Sequence, residues 1–283
     1  MKVRARARFR GLRTRLRRLT DRPDLRDPIL VYQMGKVGSS TVGRSLRALD
    51  LPRAIREVHL LNDLDDLEQR VRDTYPEPVE TLAQIEEGRR LRKLILGHRE
   101  ILWHVITLVR DPVQRNVSAF FENLTEVIPD VYERRARNEI SLAEIRDAFL
   151  DRYDHNAPLD WFQSQLEPVF GIDVFATQFD TATGYAIYEA EHARLLLIRL
   201  EDLTRRGEAA MCEFLGLDRL DLVTANVGRE KRYHDIYQEF EARVTLPASY
   251  LARMYDSRFA RQFYTDEEID TFKQRWAKAA SRP

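Results

Sequence analysis

Residues 101–109 read Ile-Leu-Trp-His-Val-Ile-Thr-Leu-Val and stop abruptly at Arg110-Asp111-Pro112. Nearly every position is aliphatic, β-branched or aromatic, so the run predicts a strand buried on both faces. Such a strand needs helices packed over it. Asp111 suits a helix N-cap and Pro112 the first helical position, so the strand hands over directly to a helix. The same order recurs earlier. Ile29–Met34 is a short apolar strand, Gly35–Ser40 a loop of small residues, and Thr41 to Leu49 a helix with Val42, Leu46 and Leu49 on one face.

Further strands are expected at 54–60, 172–177 and 195–198. Helices are expected over 62–98 with a break near Pro76 and Pro78, over 141–151, over 158–170 closed by Gly171, and over Asp202–Leu215 closed by Gly216. The last 50 residues read as helical, with Thr265-Asp-Glu-Glu268 a capping box for the final helix. Strands alternating with helices predict an α/β domain around a parallel sheet. Right-handed crossovers then place ligands at the carboxyl ends of the strands. The loops at 35–40 and 110–118 both follow strands, which makes them candidates for one site.

The 283 residues carry 46 basic and 46 acidic side chains, but unevenly. Residues 1–22 hold ten Lys or Arg against Asp21 alone, which leaves 36 basic and 45 acidic residues beyond them. We divide the chain into a basic N-terminal arm, 1–27, and an α/β domain, 28–283. Phe9, Leu12, Leu16 and Leu19 share a helical face, so residues 1–22 suit peripheral contact with an anionic membrane. An acidic partner and a solvated terminus are the other readings. A nucleic-acid tether is the least favoured. No stretch reaches the roughly 20 apolar residues that cross a bilayer. The N-terminus lacks a secretory apolar run, and Cys212, the one cysteine, rules out an internal disulfide framework. The expectation is a cytoplasmic protein, with membrane association open. Two sequons, at Asn116 and Asn123, read as chance.

The loop Gly35-Lys36-Val37-Gly38-Ser39-Ser40-Thr41 has the makings of an anion cradle. Glycines let backbone approach a ligand, and the amides of a helix N-terminus point at it. Lys36 adds a mobile charge, and Ser39, Ser40 and Thr41 add hydroxyl donors. The pattern is not Walker A, because the lysine precedes the second glycine and no Ser or Thr follows it directly. In the second element, Arg110 ends the strand and Ser118 lies about two helical turns on, with Arg115 three residues before it. Arginine suits bidentate phosphate recognition.

Together these elements resemble the donor-binding motifs of sulfotransferases that use 3′-phosphoadenosine 5′-phosphosulfate (PAPS). The resemblance implies that Lys36, Gly38, Ser39, Ser40 and Thr41 hold the 5′ end of the donor, and that Arg110 and Ser118 hold its 3′-phosphate. Leu197-Ile-Arg-Leu-Glu-Asp-Leu203 with Cys212-Glu-Phe-Leu-Gly-Leu217, and the tail 255–264, are similar to later parts of bacterial carbohydrate or capsule-type sulfotransferase-like proteins. Met-Gly-Lys-Val-Gly-Ser-Ser departs from the Pro-Lys-x-Gly-Thr-Thr loop of many members and points away from the phenol and steroid branch. The implied fold is a three-layer, P-loop-like parallel sheet flanked by helices, with a helical C-terminal portion. The implied reaction moves a sulfuryl group from PAPS to a hydroxyl, with a carbohydrate as the expected acceptor, 3′-phosphoadenosine 5′-phosphate as product and no metal.

Lys36 would neutralise charge on the departing oxygen. For the general base, His59 follows the second strand beside the first motif, with Glu57 on the same face. His98 and His104 are competitors, though His104 reads as a packed core residue. His155, Trp161 and Phe162 would line an acceptor cleft or, the favoured reading, pack in the core. Arg229, Lys231 and Arg232 would touch the 3′-phosphate or form a solvated charge run. The alternatives to sulfuryl transfer are an ATP-dependent small-molecule kinase and a non-catalytic nucleotide-binding or capsule-assembly protein.

Overall fold

The computed structural model describes residues 26–74, 80–223 and 231–277. The basic arm, residues 1–22, and Arg229 lie outside the described residues. Among the described residues, five strands form one sheet: β1 Ile29–Tyr32, β2 Ile55–Val58, β3 Trp103–Val109, β4 Tyr185–Ala190 and β5 Ala193–Arg199. Their order is β2-β1-β3-β5-β4, parallel throughout except for β4, which pairs antiparallel with β5 at the edge. Every residue of β1 and β3 is buried, as their continuous apolar runs require.

Helices pack against this sheet. In chain order they are α1 Ser39–Arg47, α2 Leu64–Thr74, α3 Glu80–Gly97, α4 Pro112–Glu122, α5 Leu142–Arg152, α6 Leu200–Leu215, α7 His234–Arg243, α8 Ala248–Tyr255, α9 Arg258–Phe263 and α10 Asp266–Ala277, with shorter turns between some of them. Several ends follow the signals in the sequence. The Asp111 carboxylate accepts from the amides of Val113 and Gln114, with Pro112 opening α4. Thr265 and Glu268 exchange side-chain and backbone hydrogen bonds at 2.9 and 3.2 Å to start α10. Gly171 and Gly216 close their helices at φ of 70° and 67°.

Two expectations need correction. Residues 172–177 are not a strand. The Asp173 carboxylate accepts from the Phe175 amide at 2.8 Å, and that local turn competes with extended pairing. The fifth strand is instead β4, whose half-buried Tyr-Ala-Ile-Tyr-Glu-Ala is an edge pattern the sequence reading passed over. The helix expected at 158–170 contains a π turn at Phe162–Leu166, and Gln165 is buried in it.

The order of strands fixes where a ligand can go. The chain leaves β1 and returns beside it as β2, then crosses to the other flank as β3. The connections leave the carboxyl ends of β1 and β3 in opposite directions, which opens a crevice between them. Val31 pairs with Ile106, so β3 runs on past the end of β1 and the 33–38 loop lies along its last residues. The two motif-bearing loops therefore meet at this switch point.

Candidate functional site

The loop between β1 and α1 is held in an uncommon backbone shape. Lys36 has φ 71° and Gly38, the residue that opens α1, has φ 96°. A Cβ on Gly38 would also lie 2.6 Å from the Leu200 side chain, so only glycine fits. At Gly35 a Cβ would meet nothing within 4 Å, so packing does not demand a glycine there. Val37 is buried and anchors the loop, while Ser39 and Thr41 are half-buried and Ser40 is exposed. No side chain caps α1; the Thr41 amide donates to the Gly38 carbonyl at 3.2 Å, while those of Ser39 and Ser40 have no partner within the helix, as at any helix start. The loop begins at Gln33, whose side-chain amide is fully buried with neither its nitrogen nor its oxygen paired.

Arg110 and one stripe of α4 prop this loop. Arg110 Nη1 donates to the Lys36 carbonyl at 3.0 Å, and buried Arg115 donates through Nε to the Gly35 carbonyl at 3.0 Å. Arg115 also reaches Asn116 and the Tyr153 hydroxyl. Two turns further along, the Lys36 ammonium and the Glu122 carboxylate form an ion pair at 2.9 Å. Residues 115, 118 and 122 are spaced three and four apart, so Ser118 lies on the same stripe between the two contacts. Arg115 is thus a loop support, a role that its spacing to Ser118 did not reveal.

Glu122 was not anticipated at all. Its Oε2 takes hydrogen bonds from Lys36 and from the Tyr233 hydroxyl at 2.6 Å, and its Oε1 pairs with Lys231 at 2.9 Å. Partial burial raises its pKa, but these three donors outweigh it and hold the carboxyl down at about 2. A single carboxylate thus sits among Lys36, Lys231 and Tyr233 at the mouth of the loop. Of the basic cluster, Lys231 joins this group, while Arg232 pairs with Glu133 and stacks on Tyr132.

His59 and Glu57 separate here. The His59 Nδ1 lies 2.8 Å from the Gln33 carbonyl. A carbonyl only accepts, so Nδ1 carries the proton and Nε2 is the basic nitrogen of the neutral ring. His59 is thereby tied to the start of the anion loop. Glu57 instead takes Arg47 from the last turn of α1 at 3.2 Å and serves to pin that helix to β2. His104 is a core residue of β3 whose burial pulls its pKa down to about 4. His98 pairs with Glu100 at the surface.

His155, Trp161 and Phe162 are buried, in agreement with the core reading. The His155 Nε2 lies 2.8 Å from the Phe149 carbonyl and its Nδ1 lies 3.0 Å from the Tyr250 hydroxyl, so both nitrogens are engaged. The Trp161 indole donates to the His59 carbonyl at 3.3 Å. Asn116 is fully buried and bonded to the His155 carbonyl, which closes that sequon to a glycan in the folded chain.

The second half of the chain buttresses the site. Tyr255 donates to the capping oxygen of Asp111 at 2.9 Å. Buried Arg199, at the end of β5, binds Asp202 at 2.5 Å and Glu268 at 2.8 Å, joining the sheet to α10. Fold and site together define an α/β protein with a cation-rich crevice at the switch point of its sheet.

Residues 140–265 are similar to the NKWYS family, described as "Putative capsular polysaccharide synthesis protein". The span is less than half of the chain. It includes β5, the Glu-Asp-Leu helix and the 255–264 tail, but neither the loop at 35–41 nor Arg110 and Ser118. No curated protein and no solved structure matches the chain. Among the described residues, no helix is long and apolar enough to cross a membrane.

Proposed function

We propose that the chain is a PAPS-dependent sulfotransferase acting on a carbohydrate hydroxyl in capsular polysaccharide synthesis, built on a P-loop-like sheet. The observation that carries this reading is the convergence of Arg110, Arg115 and Glu122, all from one segment, on the loop that holds Lys36. The two elements that resemble donor motifs thus form one site. The capsule-related match over 140–265 supports the acceptor class.

The charges fit such a donor, which bears several negative charges. Lys36 and Lys231 meet at the Glu122 carboxylate, and Arg110 lies against the Lys36 carbonyl. Arg110 uses one nitrogen on the loop and keeps the rest of its five-donor fork for a phosphate. The amides opening α1, with the hydroxyls of Ser39, Ser40 and Thr41, receive the 5′ end. Ser118 adds a hydroxyl beside the 3′-phosphate.

Transfer then needs one bond made and one broken. The acceptor oxygen attacks sulfur while the bond from sulfur to the bridging oxygen breaks. The electron pair leaves with the 5′-phosphate of 3′-phosphoadenosine 5′-phosphate, and Lys36 neutralises that charge. The acceptor proton passes to His59 Nε2, and the Gln33 carbonyl, accepting from Nδ1–H, stabilises the imidazolium that results. The work of these side chains is therefore positioning and electrostatics, as in phosphoryl transfer.

Calorimetric titration with 3′-phosphoadenosine 5′-phosphate tests this directly, with AMP and Mg-ATP as controls. We expect tight binding that is weak for AMP and is lost in Arg110→Ala. His59→Ala should keep that binding and lose turnover. A preference for Mg-ATP would replace this reading with a kinase.

A further inference from the structure

An open groove of about 550 Å³ lies between the start of α2 and the face of α3. Asn62, Asp63, Asp66, Arg89, Arg92 and Lys93 supply most of its polar lining. It begins three residues beyond His59, a span of roughly 10 Å even when fully extended. We propose that this groove is the subsite for the saccharide chain that carries the reacting hydroxyl. This rests on the sulfuryl-transfer reading for its chemistry, but not for its location.

Three observations point there. The first is rigid coupling to His59. Gln165 Oε1 accepts from the Leu61 and Asn62 amides at 3.0 and 3.1 Å, and its nitrogen donates to the Asn62 carbonyl at 3.1 Å. Asn62 Nδ2 donates to the Ser164 carbonyl at 3.0 Å, and Trp161 donates to the His59 carbonyl. One helical segment with a π turn therefore fixes residues 59–62, and π turns are frequent at functional sites. The second is that Trp161, Ser164 and Gln165 all fall within the span similar to the capsular polysaccharide family. The stretch with that likeness holds the candidate base and the groove in register.

The third is the chemistry of the lining. It holds three cations, Arg89, Arg92 and Lys93, and three carboxylates, Asp63, Asp65 and Asp66, and so has no net charge. Arg89 is paired with Asp65 and Glu68, and Arg92 with Asn62 and the Leu61 carbonyl. Asp66 and Lys93 are exposed at the wall. Alternating donors and acceptors suit the hydroxyls of a sugar chain, and a lining without net charge gives a polyanion no net attraction. The occupant is a neutral oligosaccharide, longer than one sugar.

Saturation-transfer NMR on the full chain tests this. The probes are isomaltohexaose, maltohexaose and a β-1,4-galactohexaose, with unsulfated chondroitin hexasaccharide as the polyanionic contrast. We expect at least one neutral hexasaccharide to bind, with the chondroitin probe weaker. The double variant Asp66→Ala, Lys93→Ala should weaken that binding at least fivefold. It should leave the affinity for 3′-phosphoadenosine 5′-phosphate within twofold, because neither residue touches the donor loop. If no neutral probe binds, if the polyanion binds best, or if the double variant binds equally well, the groove is not the acceptor subsite. Saccharide binding without binding of the desulfated donor would retain the groove and overturn the sulfotransferase reading. Donor-product binding without saccharide binding would do the reverse.

Discussion

Replacing Glu122 by Gln removes the carboxylate while keeping shape and a hydrogen-bonding oxygen. Its carboxyl is held at about 2 against an ordinary value of 4.5, despite burial, by Tyr233, Lys36 and Lys231. At about 1.4 kcal/mol per unit, this difference is worth about 3 kcal/mol as a ceiling. The side chain is 29% exposed, and solvent screening brings the realised stabilisation to on the order of 1–2 kcal/mol. The sign follows from the depressed value. The stabilisation is fully present above the unfolded pKa and is lost as pH falls from about 4.5 through about 2. The variant should therefore melt earlier at neutral pH, and the gap to wild type should close on the acid side. Ligand binding should move the other way. An incoming anion must displace Glu122 from Lys36 and Lys231, and the variant removes that competitor. Relief of roughly 1 kcal/mol would tighten pyrophosphate or 3′-phosphoadenosine 5′-phosphate about fivefold at low salt, and less at high salt. Calorimetric titration at two salt concentrations, with thermal melts across pH, reads both effects. Binding that weakens in Glu122→Gln would refute the competition and make Glu122 a positioning group for Lys36.

Other substitutions separate support from chemistry. Arg115→Ala strands the Gly35 carbonyl and the Asn116 side chain, so a loss of roughly 2–3 kcal/mol in urea unfolding is expected. Arg115→Lys should not restore it, because an ammonium cannot span both partners. Gln33→Met replaces a buried amide with two unpaired atoms by an apolar chain of similar size, and a gain of about 1 kcal/mol in thermal stability is expected. Burial raises the Asp111 carboxyl above its ordinary range, which costs stability as pH rises through that raised value. Asp111→Asn keeps an oxygen for the cap, so its unfolding free energy should vary less between pH 4 and neutrality.

The sequence revealed the parts of the site that are local in the chain. The strand, loop and helix at 29–47 and the Asp111-Pro112 helix start needed only neighbouring residues to specify them. Capping at Thr265 was legible for the same reason, because both partners lie within four positions. The ion pair between Lys36 and Glu122 was not, since 86 positions separate them and only the packing of α4 joins them. Gln165 was hidden in another way. Its partners are backbone amides about a hundred positions away, and nothing in the pattern of a helix marks a π turn. β4 escaped because an edge strand with one half-buried face has neither the continuous run of β3 nor a clean alternation. At 172–177 apolar composition suggested a strand, and one aspartate turned the chain instead.

Tyr255 completes the cap that starts α4, and it is made long after α4 itself. A ribosome adding about 5–20 residues per second needs on the order of ten seconds to travel from the end of α4 to that tyrosine. During this time the nascent chain carries the donor loop and its arginine supports, but Asp111 lacks its hydroxyl partner. Completion of the α4 cap is thus tied in time to synthesis of residue 255, so a product terminated before it would hold both motifs and still lack the hydroxyl that joins the Asp111 cap.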